Sequence, residues 1–151
     1  MPLSQEAINS FIDLLKTELP EDLGIKDYVD AEQNLTSIPN YPIIFVLCPT
    51  FDVLQWYPPP EAILDIAYNL TIGCMILEQD ASLLRTKLNT VVEQVIFALL
   101  RSQQEASSFR YTMNHNTEFK ANFSPIISNG GKLIADAQVT FIARRNKVED
   151  I

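Results

Sequence analysis

His115 is the chain's only histidine, so acid–base chemistry near neutral pH would have to start from it. It stands in "TMNHNTE", a polar stretch that reads as an exposed loop. Cys48 is the nearest thing to a nucleophile that His115 could serve. Cys48 lies in the apolar run "PIIFVLCP", and apolar surroundings disfavour the thiolate that would do the work. A catalytic triad also needs a third, orienting group converging on the pair. Zinc needs several thiolate or imidazole ligands at set spacings, and two distant cysteines with one histidine match none of them. The sequence therefore assigns no catalytic residue, no cofactor-binding residue, no cofactor and no metal ligand, and the chain reads as a non-enzyme.

The remaining charged groups suggest surfaces instead. Glu18, Glu21 and Asp22 form one acidic cluster, and Asp27 and Asp30 a second. They read as solvated surface or, functionally, as an acidic wall that repels DNA or holds a divalent cation at an interface. Arg144 and Arg145 close a strand-like stretch. They read equally as edge charges that block aggregation and as salt-bridge donors to a neighbouring subunit. The aromatic pair Trp56 and Tyr57 precedes Pro58, Pro59 and Pro60. Prolines have no backbone N–H, so this segment reads as a stiff loop. Either both rings fold back on their own sheet, or they anchor a partner, as aromatics at interface centres do. The second reading is preferred, because proline lowers the entropy lost when such a loop is held ready.

These residues sit in a chain of 151 residues, 47% hydrophobic and 20% charged, which reads as one globular domain, 1–151. Eleven basic residues face 19 acidic ones, a formal −8. That excludes a protein gripping nucleic-acid phosphates and one docking on an anionic membrane, although DNA could still slide past such a surface. No apolar run spans a bilayer, since "AILDIAYNLTIGCMIL" is interrupted by Asp65 and Asn69. The N-terminal "MPLSQEAINSF" has no basic segment followed by an apolar one, so it does not read as a secretory signal. Cys48 and Cys74 read as reduced core residues of a cytosolic protein rather than as a disulfide.

The elements follow from periodicity. Ser4 caps a helix starting at Gln5, with Ile8, Phe11, Ile12, Leu15 and Leu19 on one face, and Pro20 ends it. Residues 21–40 have no clear period. Residues 42–49 read as a strand buried on both faces, or between a helix and a neighbouring subunit. "PTFDVLQWYPPPE" reads as a long connection. From Ala62 to Ile76 the even positions are apolar and the odd ones include Asp65, Asn69 and Thr71, which predicts one long strand with one buried face. Gly73 marks a bulge or a close backbone approach within it. A second helix, 78–103, is capped by Asp80 or Ser82 and carries a stripe of Leu84, Leu88, Val91, Val92, Val95, Ile96 and Leu99. One or two strands follow in 107–127, with an extra short one at 109–113 as a further option. "SNGGK" is a turn, and a last alternating strand runs from Leu133 to Arg144. The tail 144–151 reads as frayed. The fold class is α+β: a mostly antiparallel sheet with two helices on one face, in the order α-β-β-α-β-β.

This layout resembles the phage tail terminator family, the ring proteins that cap a completed tail tube. The resemblance runs from Ser4 to Arg145 and rests on an N-terminal helix, a strand like "IPNYPIIFVLCP", a long strand like "AILDIAYNLTIG", a long helix, and a C-terminal hairpin like "KLIADAQVTFIARR". It carries over no individual site residue, and "WYPPP" matches no pattern of the family. The resemblance implies a homo-oligomeric ring, a hexamer, with the long strand 62–76 and the hairpin 117–145 projecting toward neighbours. One ring face would meet the tail-tube protein and stop its polymerisation. The other would meet head-completion and neck proteins, with a sheath protein alongside if the tail is contractile. DNA would only pass through the channel, no membrane would be involved, and the site of action would be the tail and neck of the virion, assembled in the host cytoplasm. The rival readings are another neck component, such as a head-closure or adaptor protein, and a cellular small-ligand-binding domain with a cleft between its second helix and its sheet.

Overall fold

Helix α1 spans Leu3–Glu18 and buries Ala7, Ile8, Phe11, Ile12 and Leu15, the stripe expected from the spacing. Its cap differs from expectation. Pro2 occupies the N-cap and its carbonyl accepts from the Glu6 N–H at 3.0 Å, while Ser4 lies inside the first turn. Proline's fixed φ suits a helix start and its missing N–H costs nothing there. The computed structural model describes residues 2–30 and 40–148.

After Pro20 a 3-10 turn, Glu21–Leu23, closes on Gly24 in the left-handed region (φ 67°). Strand β1, Asp27–Asp30, follows and pairs in parallel with β2, Ile43–Tyr57. The sequence reading placed no strand in 21–40. Four residues flanked by carboxylates show no alternation, and it is the pairing with Ile43–Val46 that makes them a strand. Residues 31–39 of the 21–40 stretch lie outside the described residues.

Strand β2 is the main departure from expectation. It does not end at Pro49 but continues to Tyr57, pairing with β3, Ile63–Glu78. The register slips by one residue between Leu47 and Thr50 and again between Val53 and Gln55. Pro49 falls in the first slip, where a residue without an N–H breaks no ladder bond. The expected 13-residue connection therefore shrinks to the turn Pro58–Ala62, with Ala62 N–H donating to Pro58 O at 3.3 Å. Ala62 belongs to that turn, at φ 48°, and not to the strand.

Helix α2, Ala81–Arg101, is capped by Asp80, whose Oδ1 accepts from Ser82 N at 2.8 Å and Leu83 N at 3.3 Å. Strands β4, Lys120–Phe123, and β5, Ile127–Asn129, both pair antiparallel with β6, Lys132–Val148. Gly130 and Gly131 have φ of 57° and 82°, the positive values that a tight two-residue hairpin turn requires. The expected extra strand at 109–113 is only a single bridge, Thr112 to Arg144, with two backbone hydrogen bonds of 2.8 and 2.9 Å.

The fold is α+β, with two helices and a six-stranded, mostly antiparallel sheet ordered β1-β2-β3-β6-β4, and β5 also on β6. The chain order is thus one helix, three strands, one helix and three strands, where the sequence suggested two and two. The tail is not frayed through 148: Arg144–Val148 pair with Ala67–Ile63 of β3. Ile44, Cys74 and Ala137 stand side by side on β2, β3 and β6 and share one core with both helices. On the opposite face Gly73 is needed because the Phe45 ring lies over it. A Cβ there would come within 2.0 Å of Phe45 Cζ.

Three consequences can be measured. Arg101 donates to the Glu18 carboxylate at 3.1 Å and to the Glu18 carbonyl at 2.8 Å, tying the C-terminal ends of the two helices together. Arg101→Ala is expected to lower stability in urea unfolding by about 0.5–1.5 kcal/mol, and Glu18→Gln by less because the carbonyl contact survives. Burial, with the Asp136 charge nearby, pushes the Cys74 thiol up to about 12. Burial also pushes the Tyr68 hydroxyl to about 12, and the Tyr111 phenol adds to that rise. Both folded values lie above the ordinary 9.0 and 10.0, so stability is intact below pH 9 and is lost as pH climbs toward 12. A thiol reagent at pH 8 should leave the native chain unmodified and label both buried cysteines after denaturation.

Candidate functional site

The helices do not cover the whole sheet. From Pro49 to Tyr57 every residue of β2 is exposed, although Phe51, Val53, Leu54, Trp56 and Tyr57 are large and apolar. Their β-branched and aromatic side chains favour a pleated strand, and β3 supplies the ladder that holds them in one. Pairing sets their faces. Phe51 stands opposite Tyr68, with ring centroids 6.0 Å apart, and Trp56 stands opposite Leu64 on the same side. Tyr57 lies across from Ile63 on the other side, its hydroxyl donating to Gln55 Oε1 at 3.2 Å.

Trp56 is 68% exposed, the most exposed large apolar side chain among the described residues. Trp56, Tyr57, Pro58 and Pro59 line a groove of about 510 Å³ together with Ile63, Leu64 and Val148. The expected stiff loop is therefore the tip of a hairpin whose aromatics belong to the strand and whose prolines form the turn. β1 reaches only as far as Val46, so the outer edge of β2 from Leu47 to Tyr57 pairs with no strand among the described residues. A long apolar edge of this kind templates strand addition or association.

The arginines stand elsewhere. Arg144 donates to Asp65 Oδ2 at 2.6 Å and remains half exposed. Arg145 is nearly buried. It donates to Tyr111 Oη at 3.2 Å, lies over the Tyr111 ring at 5.3 Å, and faces Glu6 at 3.8 Å. Lys147 reaches the other Glu6 oxygen at 3.1 Å. Both arginines thus have carboxylate partners within their own chain.

The acidic residues do not form one wall. Glu18 is held by Arg101, Glu21 and Asp22 are exposed on the 3-10 turn, Asp27 is half-buried and Asp30 is buried at the end of β1. His115 is exposed in a turn, and Cys48, buried in β2, donates to Thr50 O at 3.5 Å. No group of three or more His, Cys, Asp or Glu suited to a metal occurs among the described residues. None of the described helices is long and apolar enough to cross a membrane.

Glu6, Arg110, Tyr111, Lys147 and Val148 escaped the sequence reading. They come from three widely separated stretches of the chain, and the last two fell in a stretch read as tail. No protein-family model matches this sequence, and no curated protein matches it.

Proposed function

We propose that this chain is a ring-forming structural subunit of the phage tail terminator type. It would cap the tail tube, stop its polymerisation and present a surface for head-completion or neck proteins. The observation that carries this reading is the β2–β3 hairpin: an exposed apolar strand whose outer edge pairs with no strand among the described residues, ending in Trp56 and Tyr57. An apolar edge of this length invites aggregation in a monomer and is covered in an assembly. The other side of the same extension, β6 beyond Arg144, also has no further strand paired outside it among the described residues. Two different edges left unpaired among the described residues favour heterologous contacts, which close into a ring when the rotation between subunits allows it. The acidic balance suits a channel that lets DNA pass without binding it.

The rival small-ligand reading needs a cleft between α2 and the sheet. There Leu84, Leu88, Val91, Val95 and Leu99 are buried in the shared core, which supports packing rather than a pocket. Native mass spectrometry and negative-stain imaging test the proposal, with a closed oligomer around a central hole as the expected result. A strict monomer at all concentrations would overturn it. Particles lacking the protein should carry overlong tubes; free tails of normal length would place it on the head side instead.

A further inference from the structure

Two side-chain atoms among the described residues are sealed from solvent without a hydrogen-bond partner in the protein: Tyr68 Oη and Glu6 Oε2. Buried polar atoms are nearly always paired, because an unpaired one has given up its hydration for nothing. One of the two atoms is a donor and the other an acceptor, and they belong to the same region. Tyr68 is fully buried on β3, with its ring 5.4 Å from that of Tyr111. It stands opposite Ala143 of β6, and Arg145 follows two residues on, on the same face of the sheet. Burial raises the Tyr68 hydroxyl, and Tyr111, Arg145 and Glu6 each act on it as well, so the four groups lie within electrostatic reach of one another.

Arg145 links the two orphaned atoms. Its Nη1 carries two N–H groups. One donates to Tyr111 Oη at 3.2 Å. The same nitrogen lies 3.8 Å from Glu6 Oε2, close enough for an ion pair and too far for a hydrogen bond. A polar gap of that length is characteristic of two groups joined through a water. The other carboxylate oxygen, Oε1, already accepts from Lys147 Nζ at 3.1 Å, which leaves Oε2 as the remaining acceptor.

The charges decide what can bind. A cation would meet Arg145 and Lys147, and an anion would meet the carboxylate oxygen. The neighbours call for a neutral molecule that both accepts and donates, and the sealed position limits it to the size of water. We infer that one water is bound here as a fixed part of the fold, accepting from Tyr68 Oη and Arg145 Nη1 and donating to Glu6 Oε2. Three hydrogen bonds is the usual complement of a buried structural water. It ties the first turn of α1 to β3 and β6, the strands that carry the hairpin end of the sheet. The site does not depend on the assembly reading.

Urea unfolding of the full chain tests the bridge through a double-mutant cycle. Tyr68→Phe should lower the folding equilibrium constant about fivefold, the effect of one lost hydrogen bond. In a Glu6→Ala background the same substitution should change it less than about twofold. A neutral or stabilising Tyr68→Phe, or an equal cost in both backgrounds, would mean that the hydroxyl has no partner, and the inference fails. A high-resolution crystal structure of the wild-type chain gives the second reading, and decides alone should Glu6→Ala not fold. It should show one solvent peak within hydrogen-bond distance of Tyr68 Oη, Arg145 Nη1 and Glu6 Oε2. Direct contact between Tyr68 and Glu6, or no peak, overturns the inference.

Discussion

If the chain forms the proposed ring, Trp56→Ala should abolish self-assembly and leave the fold intact. The side chain is 68% exposed, so its loss removes little packing from the isolated chain, and melting should be unchanged within the roughly 0.5 kcal/mol typical of surface substitutions. At an interface the same residue is the sort that dominates binding. A buried tryptophan anchor costs at least about 2 kcal/mol when truncated, or roughly thirtyfold per contact. The proposed ring would repeat that contact around its circumference, so the loss would be compounded. Tyr57→Ala should act in the same direction more weakly, because part of its groove remains. Sedimentation at matched concentrations reads the outcome. Unchanged assembly by Trp56→Ala would mean that the hairpin tip is not the contact.

Phe11→Ala should have the opposite signature, with severe loss of stability. Phe11 is fully buried on α1 and meets Phe109 at 5.0 Å, Tyr111 at 5.4 Å and Phe141 at 5.5 Å. It is the single ring joining the first helix, the 109–111 segment and β6. Truncating a buried phenylalanine costs about 3–5 kcal/mol, against a total of about 5–15 for a typical domain. A fall in melting temperature of about 10 °C follows for a chain of this size. Segment 109–113 has only one bridge to the sheet, so its amides should lose exchange protection first. A loss below about 1 kcal/mol in urea unfolding would show that the cluster adapts and that Phe11 is not its keystone.

The two variants mark what was legible in the sequence. Phe11 could be placed in the core from its spacing with Ile8, Ile12 and Leu15, because helical period is a local property. The long strand from Ile63 was equally legible, since its buried face alternates without a break from Leu64 to Ile76. Trp56 was legible only as an oddity. Three prolines made the neighbourhood look like a loop, and Pro49 looked like the end of a strand. What rescued the strand was its partner: β3 supplied sixteen consecutive positions for β6 on one side and tolerated two register slips by β2 on the other. A slip is a property of a pair of strands, and no single-strand pattern records it.

The same division applies to charge. The sequence by itself determined that the chain is acidic and that its helices and long strand bury the residues they do. These follow from composition and from periods of two and 3.6 residues. Only the tertiary structure decided that Arg145 and Lys147 converge on Glu6, 139 and 141 residues away, and that Glu18 is neutralised by Arg101. It also decided that β1 exists, that 144–148 is strand, and that an apolar hairpin stands clear of the helices. Each of these depends on which segments lie side by side. That is set by minimising exposed surface over the whole chain, a quantity no local window contains.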